Sequence, residues 1–144
     1  MDLKNLIKKD VKIELPYQDA DLEGFLVTLS YVPRQELQKI RKKCLKISFN
    51  KKTHLQEEQL DDEMFLELYV NKVISGWKGL KYKYLQEFLP VDITAVDPEV
   101  ELEYSPENAL ELMKNSQVFD SWITSNISDI TNFNKNYLST KKVK

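Results

Sequence analysis

Three glycines in 144 residues constrain this chain more than any other feature of its sequence. They are Gly24, Gly76 and Gly79. Phosphate-cradling loops place two or three glycines within about eight residues, and no such loop can be built from these. The same scarcity runs through the reactive residues. There is one Cys and one His. A Cys/His-type zinc module draws on about four ligands, so it is excluded, and a disulfide within the chain is impossible. The chain is still long enough to bury a core without staples, and it fits one domain. Lys and Arg total 21 and Asp and Glu 23, a net charge of −2. That balance argues against binding nucleic acid through overall charge.

Residues 1–10 lack the apolar stretch that a secretory signal requires, and no segment approaches the roughly 18 apolar residues of a membrane span. The expected location is the cytoplasm. We read residues 1–10 as a flexible N-terminus, 11–133 as a single globular domain and 134–144 as a basic flexible tail. The tail holds four lysines and no acid, and solvation is its simplest role.

Alternation of apolar and polar residues in Val11-Lys12-Ile13-Glu14-Leu15 predicts a strand. The segment from Gly24 to Val32 predicts another, with Phe25, Val27, Leu29 and Tyr31 on one face. Residues 16–23 between them suit a hairpin connection. Two strands alone are marginal in water, so a third strand or a helix must cover their apolar face. Pro33 fits the first turn of a helix that carries Leu37, Ile40 and Cys44 at helical spacing. Residues 46–55 form a polar excursion, either a short hairpin or a loop. Asp61 or Asp62 caps a long helix with Phe65, Leu68, Tyr69, Val73 and Ile74 on one face. That helix is expected to run to about Ser75 and to end at Gly76, with Trp77 folding back over its end. A shorter helix over about 81–88 stops before Pro90, and Val100, Leu102 and Tyr104 suggest an extended piece. Ser105-Pro106-Glu107-Asn108 is a helix start with its cap, proline and acid in order. Asn115-Ser116 interrupts the run. A last helix carries Phe119, Trp122, Ile123, Ile127, Ile130 and Phe133 along one stripe. The expected fold class is α+β, mainly helical, an N-terminal β-hairpin packed on about four to five helices.

Charge is segregated along the chain. Residues 34–52 hold eight basic residues and one acid, Glu36, whereas residues 87–111 hold eight acids and no Lys or Arg. The acidic run either engages a basic partner, folds against the basic helix or forms a solvated face. Candidate chemistry is sparse. Cys44 and His54 could be nucleophile and base, but Cys44 falls on an apolar face and His54 in a polar loop. Asp61, Asp62 and Glu63 lack the glycine that a cation-binding loop uses for its turn, and helix capping explains them more simply. No catalytic, cofactor-binding or metal-binding residue is therefore assigned. Trp77 and Trp122 read first as core residues, and the stripe from Phe119 to Phe133 first as packing on the central helix. The residues assigned as partner contacts beyond that are Trp77, Phe119, Trp122, Ile123, Ile127 and Ile130, because tryptophans anchor interfaces and an exposed part of an apolar helical stripe can hold a partner helix.

Several short motifs together carry a resemblance. They are Arg41-Lys42-Lys43-Cys44, Leu60-Asp61-Asp62-Glu63, Val73-Ile74-Ser75-Gly76-Trp77-Lys78-Gly79-Leu80 and Tyr104-Ser105-Pro106-Glu107-Asn108-Ala109. In this order, over roughly residues 24–133, the chain resembles the tail assembly chaperones of tailed bacteriophages and prophages. Many relatives carry a Gly between the Gly-Trp turn and the Ser-Pro-Glu-Asn start; the acidic run stands there in this chain, which marks a variant. The resemblance implies a non-enzymatic protein without cofactors that coats the tape measure protein and keeps it soluble. It implies displacement as tail tube protein arrives, work in the bacterial host cytoplasm and absence from the mature virion. An oligomer is compatible with such coating.

Members of that family are often made in a second, longer form by ribosomal frameshifting, and Lys141-Lys142 suits an A-rich slippery site. Reading the gene tests this: a slippery run with an overlapping frame is expected, and its absence removes the longer form as a partner. A competing reading is a small nucleic-acid-binding or regulatory phage protein that uses the basic 34–52 patch. A hydrolase or metal-dependent enzyme would need convergent carboxylates, and none occurs at recognisable spacing.

Overall fold

A computed structural model of the protein describes residues 1–136. Residues 137–144, including Lys141-Lys142 and most of the basic C-terminal segment, lie outside the described residues.

The alternating residues build β1 (Lys12–Pro16), and the β-branched run builds β2 (Leu26–Ser30). They pair antiparallel, with Ile13 opposite Leu29 and Leu15 opposite Val27, and all four side chains are buried. Their connection holds a 3-10 turn at Ala20–Leu22, and Leu22 is buried beneath it. A four-residue helix, α1 (Leu3–Leu6), precedes the hairpin.

Pro33 stands one position earlier than expected, as the N-cap of α2 (Arg34–Lys43). Ile40 and Cys44 are buried and Leu37 is half-buried, as the helical spacing requires. The polar excursion is one arm of a second hairpin, β3 (Leu45–Asn50) paired with β4 (Leu55–Leu60). Asp61 caps α3 (Asp62–Val73), its carboxylate accepting the Met64 N–H at 3.1 Å.

The main departure from expectation follows. The third helix stops at Val73, two residues before Ser75, and Gly76 does not end it. Instead Ile74–Lys78 is a strand, β5, paired antiparallel with β2. The sheet order is β1-β2-β5, so the hairpin gains the third strand it needs. Val27 faces Trp77, Thr28 faces Gly76 and Leu29 faces Ile74, and Ser75 is the extra residue of a bulge. Trp77 thus sits in a strand and does not fold back over the helix. Helical spacing could not reveal this, because the open edge of β2, a tertiary feature, supplies the partners for the β5 backbone.

After β5 the backbone forms a 3-10 stretch, Tyr82–Glu87, in place of the expected short helix. Residues 101–104 form no strand; their backbone meets the chain just after β5, through a bridge between Lys81 and Glu101 and the Leu102 N–H donating to the Leu80 carbonyl at 2.7 Å. Side chains do the rest. The Trp77 indole N–H donates to the Leu102 carbonyl at 2.9 Å, and the Tyr104 hydroxyl donates to the Ile74 carbonyl at 3.1 Å. Ser105 and Pro106 start α4 (Pro106–Asn115) as expected. The break at Ser116 is a cap: its buried hydroxyl accepts the Phe119 N–H at 3.0 Å and starts α5 (Gln117–Ser128). A π-helical turn, Asn132–Asn136, follows.

The fold is α+β, with the inner face of the sheet and the helices enclosing one core. Its centre is aromatic: Phe25, Phe88 and Phe119 are buried, and Tyr17 and Trp122 close over them with ring centroids 4.8 Å apart. Gly79 marks the tightest packing. Its φ is +77°, and a Cβ there would lie 1.9 Å from the Gly24 carbonyl oxygen. Gly79→Ala is therefore expected to cost at least about 1–3 kcal/mol from backbone strain alone, with the clash added. Ser116→Ala should cost about 1 kcal/mol through loss of the cap. Urea unfolding midpoints measure both, and equal midpoints for Gly79→Ala and wild type would refute the packing claim.

Candidate partner-binding surfaces

Three surfaces stand out, and each starts from a local sequence pattern. The first is apolar. Leu3, Leu6 and Ile7 are spaced i, i+3, i+4, which places them on one side of α1 and its end. They are 73%, 60% and 60% exposed. Together with Val11, Tyr31, Ile130 and Phe133 they line a groove of about 390 Å³ between the two ends of the described chain. Tyr31 leaves the buried face of β2 and packs on Phe133, ring centroids 5.2 Å apart. Ile130 is 51% exposed at the rim. Apolar surface gathered in one place, unlike apolar residues scattered singly, marks interaction sites.

The second surface is basic. Arg34, Arg41, Lys42 and Lys43 project from α2, and Lys51 and Lys52 from the tip of the β3–β4 hairpin; all are exposed. Lys39 and Lys72 share Glu36 at 3.6 and 3.7 Å, and Lys46 meets Asp61 at 3.0 Å.

The third surface is acidic, and much of it is spent on local architecture. Glu99 receives Lys83 at 2.6 Å and Lys81 at 3.1 Å. Asp92 accepts from the Thr94 N–H and hydroxyl, Asp97 from the Glu99 N–H, and Glu101 from the Gly79 N–H. Among the described residues no ion pair joins the acidic run to the basic helix. The run turns toward the lysines that follow β5.

The six assigned partner contacts separate in space. Phe119 and Ile123 are fully buried, and Trp77 is buried with its N–H satisfied. Trp122 and Ile127 are half-buried. Ile130 alone reaches the apolar groove, where it meets residues the sequence reading set aside as a flexible end. The spacing of Leu3, Leu6 and Ile7 was the signal that could have found them. Cys44 is buried at the base of the second hairpin and His54 is exposed at its tip, about 20 Å away for a six-residue strand. Among the described residues no group of three or more His, Cys, Asp or Glu is placed to hold a metal ion. No described helix is long and apolar enough to cross a membrane.

Residues 33–143 match the family of YdaY prophage proteins, more than two thirds of the chain. The chain belongs to that family. It is thus a prophage protein. The match begins at the cap of α2 and takes in the second hairpin, α3, β5 and the later helices; α1, β1 and β2 precede it. No curated protein and no solved structure matches the chain.

The acid-sensitive contacts of this prophage protein are the caps and the Glu99 clasp. Hydrogen bonds from Lys83 and Lys81 hold the Glu99 carboxyl below its ordinary range. The Met64 N–H and Lys46 do the same for Asp61, and the Thr94 N–H and hydroxyl for Asp92. A depressed carboxylate pKa contributes stability above the unfolded value, near pH 4, that is lost as pH falls through the folded value. Urea midpoints should therefore fall as pH drops below about 4, and Glu99→Gln should flatten the dependence. A wild-type midpoint that holds constant through this range would contradict the assignment.

Proposed function

We propose that this prophage protein is a tail assembly chaperone, a non-enzymatic protein that binds the tape measure protein and keeps it soluble until tail tube protein replaces it. The observation that carries the reading is the apolar groove formed by Leu3, Leu6, Ile7, Tyr31, Ile130 and Phe133. A groove of this kind suits one apolar face of an amphipathic helix, read by anchors one turn apart. A tape measure protein is a long series of such helices, insoluble until covered. Membership in a prophage family agrees with this setting, and the sequence motifs from Arg41 to Ala109 agree with the specific role. Action in the host cytoplasm and absence from the finished virion belong to the same proposal.

The test is co-expression with the long helical protein of the same prophage. The partner is expected to shift from the insoluble to the soluble fraction and to co-purify. Leu6→Asp combined with Ile130→Asp replaces exposed side chains and should leave folding intact. It is expected to reduce co-purification at least tenfold. Failure of the wild-type pair to co-purify or to change the partner's solubility overturns the proposal.

A further inference from the structure

No residue of the β3–β4 hairpin belongs to the buried core. It makes its contacts almost wholly within itself, and every residue from Lys51 to Gln59 is exposed. Phe49 and Ile47 share one of its faces and are 60% and 69% exposed. A core would bury them. The tip is nonetheless built. The Asn50 side-chain oxygen accepts the Lys52 and Thr53 N–H groups, and the His54 N–H donates to the Asn50 carbonyl at 2.8 Å. His54 adopts φ +58°, which lays its ring 6.2 Å from that of Phe49. Two exposed rings therefore stand beside Lys51 and Lys52.

At its base the hairpin continues directly from the last turn of α2, where Arg41, Lys42 and Lys43 follow one another. Glu36 stands nearby, but it pairs with Lys39 and Lys72, and among the described residues none of the three forms an ion pair within 4.0 Å. Glu57 and Glu58 lie on β4; Glu57 accepts from Asn50, and Glu58 stands opposite Ile47. The remaining excess is positive. Exposed rings for bases and cations for a backbone are what single-stranded nucleic acid requires, and the combination works without sequence preference. A net charge of −2 excludes binding through overall charge, but a segregated patch acts locally.

We propose that the basic turn of α2 and the β3–β4 arm form a binding site for single-stranded nucleic acid, with Phe49 and His54 stacking on bases. This function is separate from the chaperone role and uses none of its groove residues. Fluorescence anisotropy with a labelled 20-nucleotide DNA strand tests it on the full chain. Binding is expected at 50 mM salt and should weaken at least tenfold by 200 mM. Lys42→Glu with Lys43→Glu should reduce affinity at least tenfold, and Phe49→Ala should weaken the single strand more than a duplex of the same sequence. Circular dichroism checks that these surface variants fold. Absence of binding at 50 mM salt overturns the proposal. So does a preference for the duplex, or tighter binding of a poly-glutamate peptide, which would assign the patch to an acidic protein. The Leu6→Asp, Ile130→Asp protein should bind DNA as wild type does, so the two functions fail separately.

Discussion

The pairing of β5 with β2 is the contact on which the rest of the molecule depends. A two-stranded hairpin is marginal in water, with the outer edge of β2 unpaired and an apolar face uncovered. β5 closes the edge with backbone hydrogen bonds and carries Ile74 and Trp77 onto the face, opposite Leu29 and Val27. It also ends α3 at Val73 and so directs the chain across the sheet. Directly after it, Gly79 passes so close to the Gly24 carbonyl that no side chain fits. The indole of Trp77 then anchors the extended segment at Leu102 and with it the start of α4. Two of the three glycines, Gly24 and Gly79, thus stand where backbones touch.

This arrangement divides the surface into patches of distinct chemistry. The sheet and helices take Phe119, Ile123 and Trp77 into the interior, where aromatic packing contributes stability. What remains outside is the ends of the chain and the second hairpin. The apolar groove draws on α1 and on residues after α5, elements distant in sequence that meet because β1 packs beside the π turn. The basic arm extends from α2, away from any core contact of its own. The apolar groove and the basic arm share no residue, and the family match includes the arm, Ile130 and Phe133 but not α1.

Much of the local structure was legible in the sequence. The β1–β2 hairpin, the caps at Asp61 and Ser105, the proline at Pro106 and the interruption at Ser116 follow from residues within a few positions of one another. The unread parts are those decided at a distance. Ile74 and Val73 sit on the same helical stripe as Phe65 and Tyr69, so periodicity extended the helix through residues that pair with β2. The acidic run could be seen as a charge block. Its pairing with Lys81 and Lys83, and not with α2, depends on where the 3-10 stretch turns. The candidate site was least legible: its stripe pointed inward at Phe119 and Ile123, and only Ile130 lay at the groove.

The sequence by itself determined the class of fold, the places where α2, α3, α4 and α5 begin to within about a residue and the absence of a phosphate-cradling loop, because composition, periodicity and capping act over a few residues. Tertiary structure alone decided that Ile74–Lys78 is a strand, that two of three glycines sit against each other, and that Leu3, Leu6 and Ile7 share a groove with Ile130. Each of these joins segments far apart in the chain. Edge pairing, backbone approach and burial have no meaning until both segments are in place.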